Sequence, residues 1–224
     1  MQSIMTTAGC CILKVMMILT AFLSLHPENA FPVTTLPPTA ISPDPFFEEK
    51  ARLIDGEIII AFSDLPDDVV RVKAQIYIVA PPQKVWEVLI DYDSHKNFIP
   101  NVIDSGTISD QGKEKVVFEK GTIKMLIFKK NISVQMKVWG EEFKRINFKQ
   151  IAGDFKVYQG EWIFIDYPKG QGTFLTYIAD VKPDFFASSL MVRSIQKRDC
   201  PLVLSAIKKQ AESFYIFKPQ NITP

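Results

Sequence analysis

Ile76, Ile78 and Ala80 alternate with Tyr77 and Val79 in a run dominated by β-branched side chains, the period-two pattern of a strand that is at least half buried. Pro81 and Pro82 end that strand, since proline gives no donor to a ladder. Both suit the first turn of a helix, where the N–H lacks a partner in any case. The period then changes to 3.6: Val85, Trp86, Leu89 and Ile90 share one wide apolar face, and Lys84 and Glu87 fall off it. Such a face predicts a helix lying on a sheet. Asp93 and Ser94 are placed to cap a further helical turn through Phe98, which Pro100 ends.

Strand-like segments follow at residues 102–109, 115–119, 122–128, 131–139, 144–151, 156–166 and 172–182, divided by QGK, EKG, WGEE, AGD and PKGQG. This spacing predicts an antiparallel meander. Upstream, residues 57–62 and 69–79 predict two strands around SDLPDD, and FFEEKARLI a short helix before them. From residue 185 to 217 the period returns to 3.6, which predicts one long helix kinked at Pro201. Beyond the proline, Val203, Leu204, Ile207, Ala211 and Phe214 form an apolar stripe, and Lys208, Lys209 and Glu212 lie outside it.

Hairpin geometry assigns faces. If PKGQG closes a hairpin with Trp162 opposite Tyr177, then Phe164 meets Leu175, and Tyr158, Gly160 and Ala179 share that face; Glu161 and Thr176 take the other. A three-residue loop at 152–154 sets Phe148 beside Tyr158 and Ile146 beside Gly160. Ile132, Val134, Met136 and Val138 form the matching apolar face one strand earlier. Gly160 either removes bulk beneath a ligand or serves a bent or bulged backbone, and the two readings stand level.

Composition narrows the function. The 224 residues are 47% hydrophobic, enough for one sizeable core, and the net charge of +1 excludes the basic footprint of a nucleic-acid binder. Residues 1–30 hold only Lys14 and Glu28 as strong charges, and an apolar run at 15–25 reads as a signal peptide, cleaved or kept as an anchor. Residues 31–45 contain five prolines and no glycine, which makes an extended tether; residues 46–218 are the domain and 219–224 a tail. Cys10 and Cys11 lie in the first segment, so the domain holds only Cys200, and His95 is its only histidine. An internal disulfide and a His/Cys zinc site are both excluded. No Walker loop and no G-x-S-x-G elbow occurs, and no cofactor is called for. Asp91, Asp93 and His95 stand close enough for an acid–base cluster, but Asp-x-Asp-Ser after a helix reads first as turn and cap chemistry. Arg193 and Tyr177 are candidates to polarise a ligand carbonyl, against the commoner fate of a helix arginine at the surface. No catalytic residue and no metal ligand is assigned.

The stretch IVAPPQKVWEVLIDYDSHKNFIPNV resembles the opening of START-like (SRPBCC) polyketide cyclase and coenzyme Q-binding domains. YQGEWIF, GTFLTY and KRDCPLVLSAIKKQAE follow in the family's order, and the likeness covers residues 69–215. It implies an α+β helix-grip fold: a curved antiparallel sheet wrapped around a long C-terminal helix, with a lipid-sized apolar cavity between them. Met136, Phe148, Trp162, Phe164, Tyr177, Ala179, Met191 and Ile207 are then expected to line it. The function implied is binding or carriage of a hydrophobic small molecule (a lipid, a quinone or a polyketide-like compound), outside the cytoplasm or anchored to a membrane, with membrane contact. Two alternatives stay open: a cyclase or dehydratase acting on such a ligand, and a protein-interaction module with a vestigial cavity.

Overall fold

The computed structural model describes residues 45–124, 129–167 and 171–216. The targeting segment expected at 1–30, nearly all of the tether and the tail at 219–224 lie outside the described residues. Helix α1 (Pro45–Ile54) leads into strands β1 (Ile59–Leu65) and β2 (Val69–Ile78), then helices α2 (Pro82–Ile90) and α3 (His95–Phe98). A run of strands follows: β3 (Val102–Asp110), β4 (Glu114–Lys124), β5 (Lys129–Glu141), β6 (Arg145–Gly153), β7 (Phe155–Tyr167) and β8 (Gly172–Pro183). Helix α4 (Ser189–Ile216) closes the described chain. All strands form one antiparallel sheet in the order β1-β2-β8-β7-β6-β5-β4-β3, so β2 pairs with the last strand across the whole length of the meander.

α2 begins as its sequence requires, with extended Pro81 at the N-cap and Pro82 inside the first turn. Its buried residues are Pro82, Val85, Val88 and Leu89, while Trp86 at the edge of the face meets the rings of Phe164 and Phe143 at 5.6 and 5.9 Å. α4 packs on β2 and α2. Leu204, Ile207 and Ala211 are fully buried, as the apolar stripe predicts; the side chain of Phe214 lies outside the described residues. The polar side of the stripe is used too: Lys208 Nζ donates to the Tyr77 carbonyl at 2.7 Å and the Val79 N–H donates to Glu212 at 2.8 Å, which ties the C-terminal half of α4 to the end of β2. Pro201 stands inside α4.

Burial on the outer face exceeds the alternating pattern. Tyr77 points away from the main core, yet it is buried with Phe174 beneath Leu53 of α1, so the short first helix caps the sheet's second face.

Three local readings are corrected. EKG is no turn: β4 runs unbroken, and Gly121 pairs with Val102 on one side and Ile132 on the other. A side chain there would meet the Asn101 carbonyl at 2.8 Å, so the glycine serves a close approach. The β6–β7 register is shifted by two residues, with Phe148 opposite Gly160 and Ile146 opposite Trp162. The strands part beyond Lys149 and Gln159, and Gln150 Nε2 bridges the opening to the Phe155 carbonyl at 2.6 Å, a longer end than a three-residue loop makes. Because the shift is even, no side chain changes face. Finally, Ser94 makes no side-chain cap, and Asp93 instead accepts from the Thr107 N–H and hydroxyl, pinning α3 to β3.

Candidate functional site

The β7–β8 hairpin pairs Trp162 with Tyr177 and Phe164 with Leu175, the register its turn implies. The rings of Trp162 and Tyr177 meet at 4.5 Å with a 39° tilt, and Phe148 lies nearly parallel to Tyr177 at 6.0 Å. These rings form one wall of a cavity of about 250 Å³ enclosed by the inner faces of β3 to β8, the α2–α3 corner and α4. The volume falls just below the range of roughly 300–1,000 Å³ typical of small-molecule sites. A hollow of about 570 Å³ on the sheet's other face mixes apolar Trp139 and Ile178 with the charged Arg71, Lys73, Lys149, Glu161 and Asp180.

Of the residues expected at the site, Met136, Phe148, Trp162, Tyr177 and Ile207 are brought together around the cavity. Phe164, Ala179 and Met191 are not. Phe164 is taken up by Trp86 of α2, which fills the end of the inner face nearest that helix. Ala179 is fully buried between two lining residues of its own strand, Tyr177 and Val181, and its single methyl stops short of the space. Met191 precedes the lining Val192, about 100° away around the helix. Gly160 does not make room for a ligand either. A Cβ there would lie 2.0 Å from the Ile178 carbonyl oxygen, so the close approach of β7 to β8 demands the glycine.

Sequence reasoning missed the polar side of the cavity. Glu119 on β4 and His95 on α3 both line it, with His95 Nδ1 2.7 Å from Glu119 Oε1 and Nε2 3.2 Å from the Val88 carbonyl. His95 is buried and sits on the ring of Tyr92 at 4.7 Å; it does structural and cavity work that the turn reading of Asp-x-Asp-Ser-His overlooked. A carbonyl only accepts, so Nε2 carries a proton, and the short contact at Nδ1 requires one proton between imidazole and carboxylate. Across from it, the hydroxyls of Tyr158 and Tyr177 are 3.3 Å apart. Burial drives both phenols, and Tyr92, well above the ordinary tyrosine range, and the charge of Glu119 adds to it. They therefore act as neutral hydrogen-bonding groups. Burial, followed by the neighbouring Asp199 carboxylate, pushes the Cys200 thiol up to about 12, and the thiol donates to Gln196 Oε1 at 2.9 Å. So buried a thiol is no nucleophile. Arg193 points elsewhere, onto Asp64 at 2.5 Å and over the ring of Phe62.

Comparison with known proteins agrees with this architecture. A family model described as polyketide cyclase / dehydrase and lipid transport matches residues 78–208. No curated protein sequence matches the chain. Among solved structures, the Zhui aromatase/cyclase from Streptomyces sp. R1128 superposes with a TM-score of 0.58 at 16% identity, over 66% of this chain and 96% of that one. A START superfamily protein from Mycobacterium smegmatis gives 0.56 at 13% identity, over 64% and 98%. Human STARD10 gives 0.53 at 13% identity, over 80% and 84%. Identities this low establish the helix-grip fold and nothing finer.

Proposed function

The chain belongs to the family of polyketide cyclase / dehydrase and lipid-transport proteins, and from that membership we propose that it binds and carries a hydrophobic small molecule in the cavity beneath α4. The observation that carries this reading is the composition of the space: aromatic and aliphatic walls with a few convergent polar groups, which supply affinity and orientation respectively. Titration with the uncharged fluorophore N-phenyl-1-naphthylamine tests it. Saturable, blue-shifted emission is expected from the wild-type protein, and its loss when bulk is added at the lining residue Val134. Absence of saturable binding overturns the carrier reading.

Membrane contact belongs to the same proposal. Phe186 and Leu190 are 93% and 77% exposed; Phe186 stands between Phe185 and Ala187, and Leu190 two residues before Val192, all three of which line the cavity. Large apolar side chains so exposed beside an opening suit insertion among lipid headgroups. Replacing both by serine is expected to weaken co-sedimentation with anionic vesicles; undiminished binding refutes the assignment. Export directed by residues 1–30 is supported by the apolar run after Lys14, and a reporter fused to those residues that stays in the cytoplasm overturns it.

One observation favours a second reading. The His95–Glu119 pair sets a proton-carrying imidazole and carboxylate against the cavity, the kind of group that general acid–base catalysis uses. Under that reading a poly-β-ketone analogue is cyclised or dehydrated by the protein, and His95→Asn abolishes turnover while the fluorophore still binds. Absence of turnover by the wild-type protein removes it.

A further inference from the structure

Resting on the carrier reading above, a finer statement about the ligand follows from the charges of the cavity wall. Among the described residues that line it, Lys120 is the one lysine or arginine, and its ammonium is directed to Asp104 at 3.3 Å and over the outer ring of Phe118. Asp199 is occupied by Arg198, accepting from its Nε at 2.7 Å and its Nη2 at 2.8 Å. The remaining ionisable pair is His95 and Glu119, and its charge follows from counting protons. With Nε2 committed to the Val88 carbonyl, the pair is either imidazolium with carboxylate or imidazole with carboxylic acid. Two facing lone pairs at 2.7 Å are excluded by repulsion. Either form sums to zero, and neither leaves positive charge for a third group.

An anionic head group brought into this space would lose its water and gain no cation, and an ionised group buried without a partner is strongly disfavoured. A neutral polar group is received well. The Tyr158 and Tyr177 hydroxyls carry two protons, their mutual contact uses one, and the other is available to a carbonyl or hydroxyl oxygen; Glu119, with its side chain 24% exposed, and the phenolic oxygens accept. We infer that the site selects amphiphiles with an uncharged hydrogen-bonding end group, such as an alcohol or ketone, over carboxylates of the same length, and that Glu119 is the residue that sets this preference.

The experiment is displacement of N-phenyl-1-naphthylamine from the full chain at pH 7.5 by decan-1-ol and decan-2-one, each below its solubility limit, and by decanoate below its critical micelle concentration. Matched chain lengths hold the apolar contribution constant and leave the end group as the variable. The alcohol and the ketone are expected to displace the fluorophore at concentrations at least tenfold lower than decanoate. In Glu119→Gln the gap is expected to narrow at least threefold through tighter decanoate binding, a direction that general damage to the site would not give. Decanoate competing as well as decan-1-ol against the wild-type protein overturns the selectivity and leaves the carrier reading standing. An unchanged gap in Glu119→Gln overturns the role of Glu119. Failure of the fluorophore to bind at all refutes the carrier reading, and this inference falls with it.

Discussion

Adding bulk at Ala179 and at Val134 separates filled core from open cavity. Ala179 is fully buried, opposite Val72 on β2 and Gly160 on β7, and even the missing Cβ of Gly160 would fall 2.8 Å from the Ala179 Cα. Ala179→Phe must force a ring into closely packed backbone, and overpacking of this kind typically costs about 1–3 kcal/mol, with the tight strand approach favouring the upper end. At about 2–4 °C per kcal/mol for a domain of this size, roughly 3 kcal/mol lowers Tm by about 6–12 °C. Val134 stands opposite Glu119 on the cavity wall, where the added ring of Val134→Phe enters open space. Its Tm is expected to change by less than about 3 °C, while saturable binding of N-phenyl-1-naphthylamine disappears. Differential scanning calorimetry and fluorescence titration on the same preparations provide both numbers. If Ala179→Phe leaves Tm intact and Val134→Phe collapses it, the boundary between core and cavity drawn here is reversed.

Three further outcomes are expected. Leu175→Ala, which truncates a fully buried side chain away from the cavity, should lower stability by about 2–5 kcal/mol in urea denaturation without altering ligand binding. The phenols of Tyr92, Tyr158 and Tyr177 titrate higher folded than unfolded, so the unfolded chain binds fewer protons at high pH. The urea midpoint should hold below about pH 10 and fall above it, and the combined Tyr158→Phe and Tyr177→Phe changes should flatten that fall. With Cys10 and Cys11 replaced by serine, Cys200, its thiol raised to about 12, should resist Ellman's reagent at pH 8 until denaturant is added; rapid labelling of that native variant would contradict its burial.

Which parts of this were legible in the sequence has a physical reason. The Pro81-Pro82 junction, α2 and the β7–β8 register are local matters, fixed by proline geometry, a 3.6-residue period and one tight hairpin. Period two also told which face of each strand turns inward, hence Met136, Phe148, Trp162 and Tyr177. It does not tell how far along a strand the packing runs before space opens, and that is set by α2 and Trp86, which fill the Phe164 end. Glu119 stayed hidden because a glutamate in EKVVFEKG reads as one of several solvated charges. Only the pairing of β4 with β5 and the nearness of α3 turn it inward to His95, residues separated by 24 positions.

The pairing of β2 with β8 also dictates an order of events during synthesis. β2 leaves the ribosome about a hundred residues before its partner at residues 172–183, and until then one whole edge of it has no strand to bond. β7 waits in the same condition. Contacts so distant along the chain slow the search for the native sheet, and open edges invite pairing with other chains meanwhile. A chain cut between β7 and β8 therefore keeps both of these adhesive edges and lacks α4 to cover the apolar inner face. Such fragments should accumulate as aggregates, even though most of the sheet has been translated.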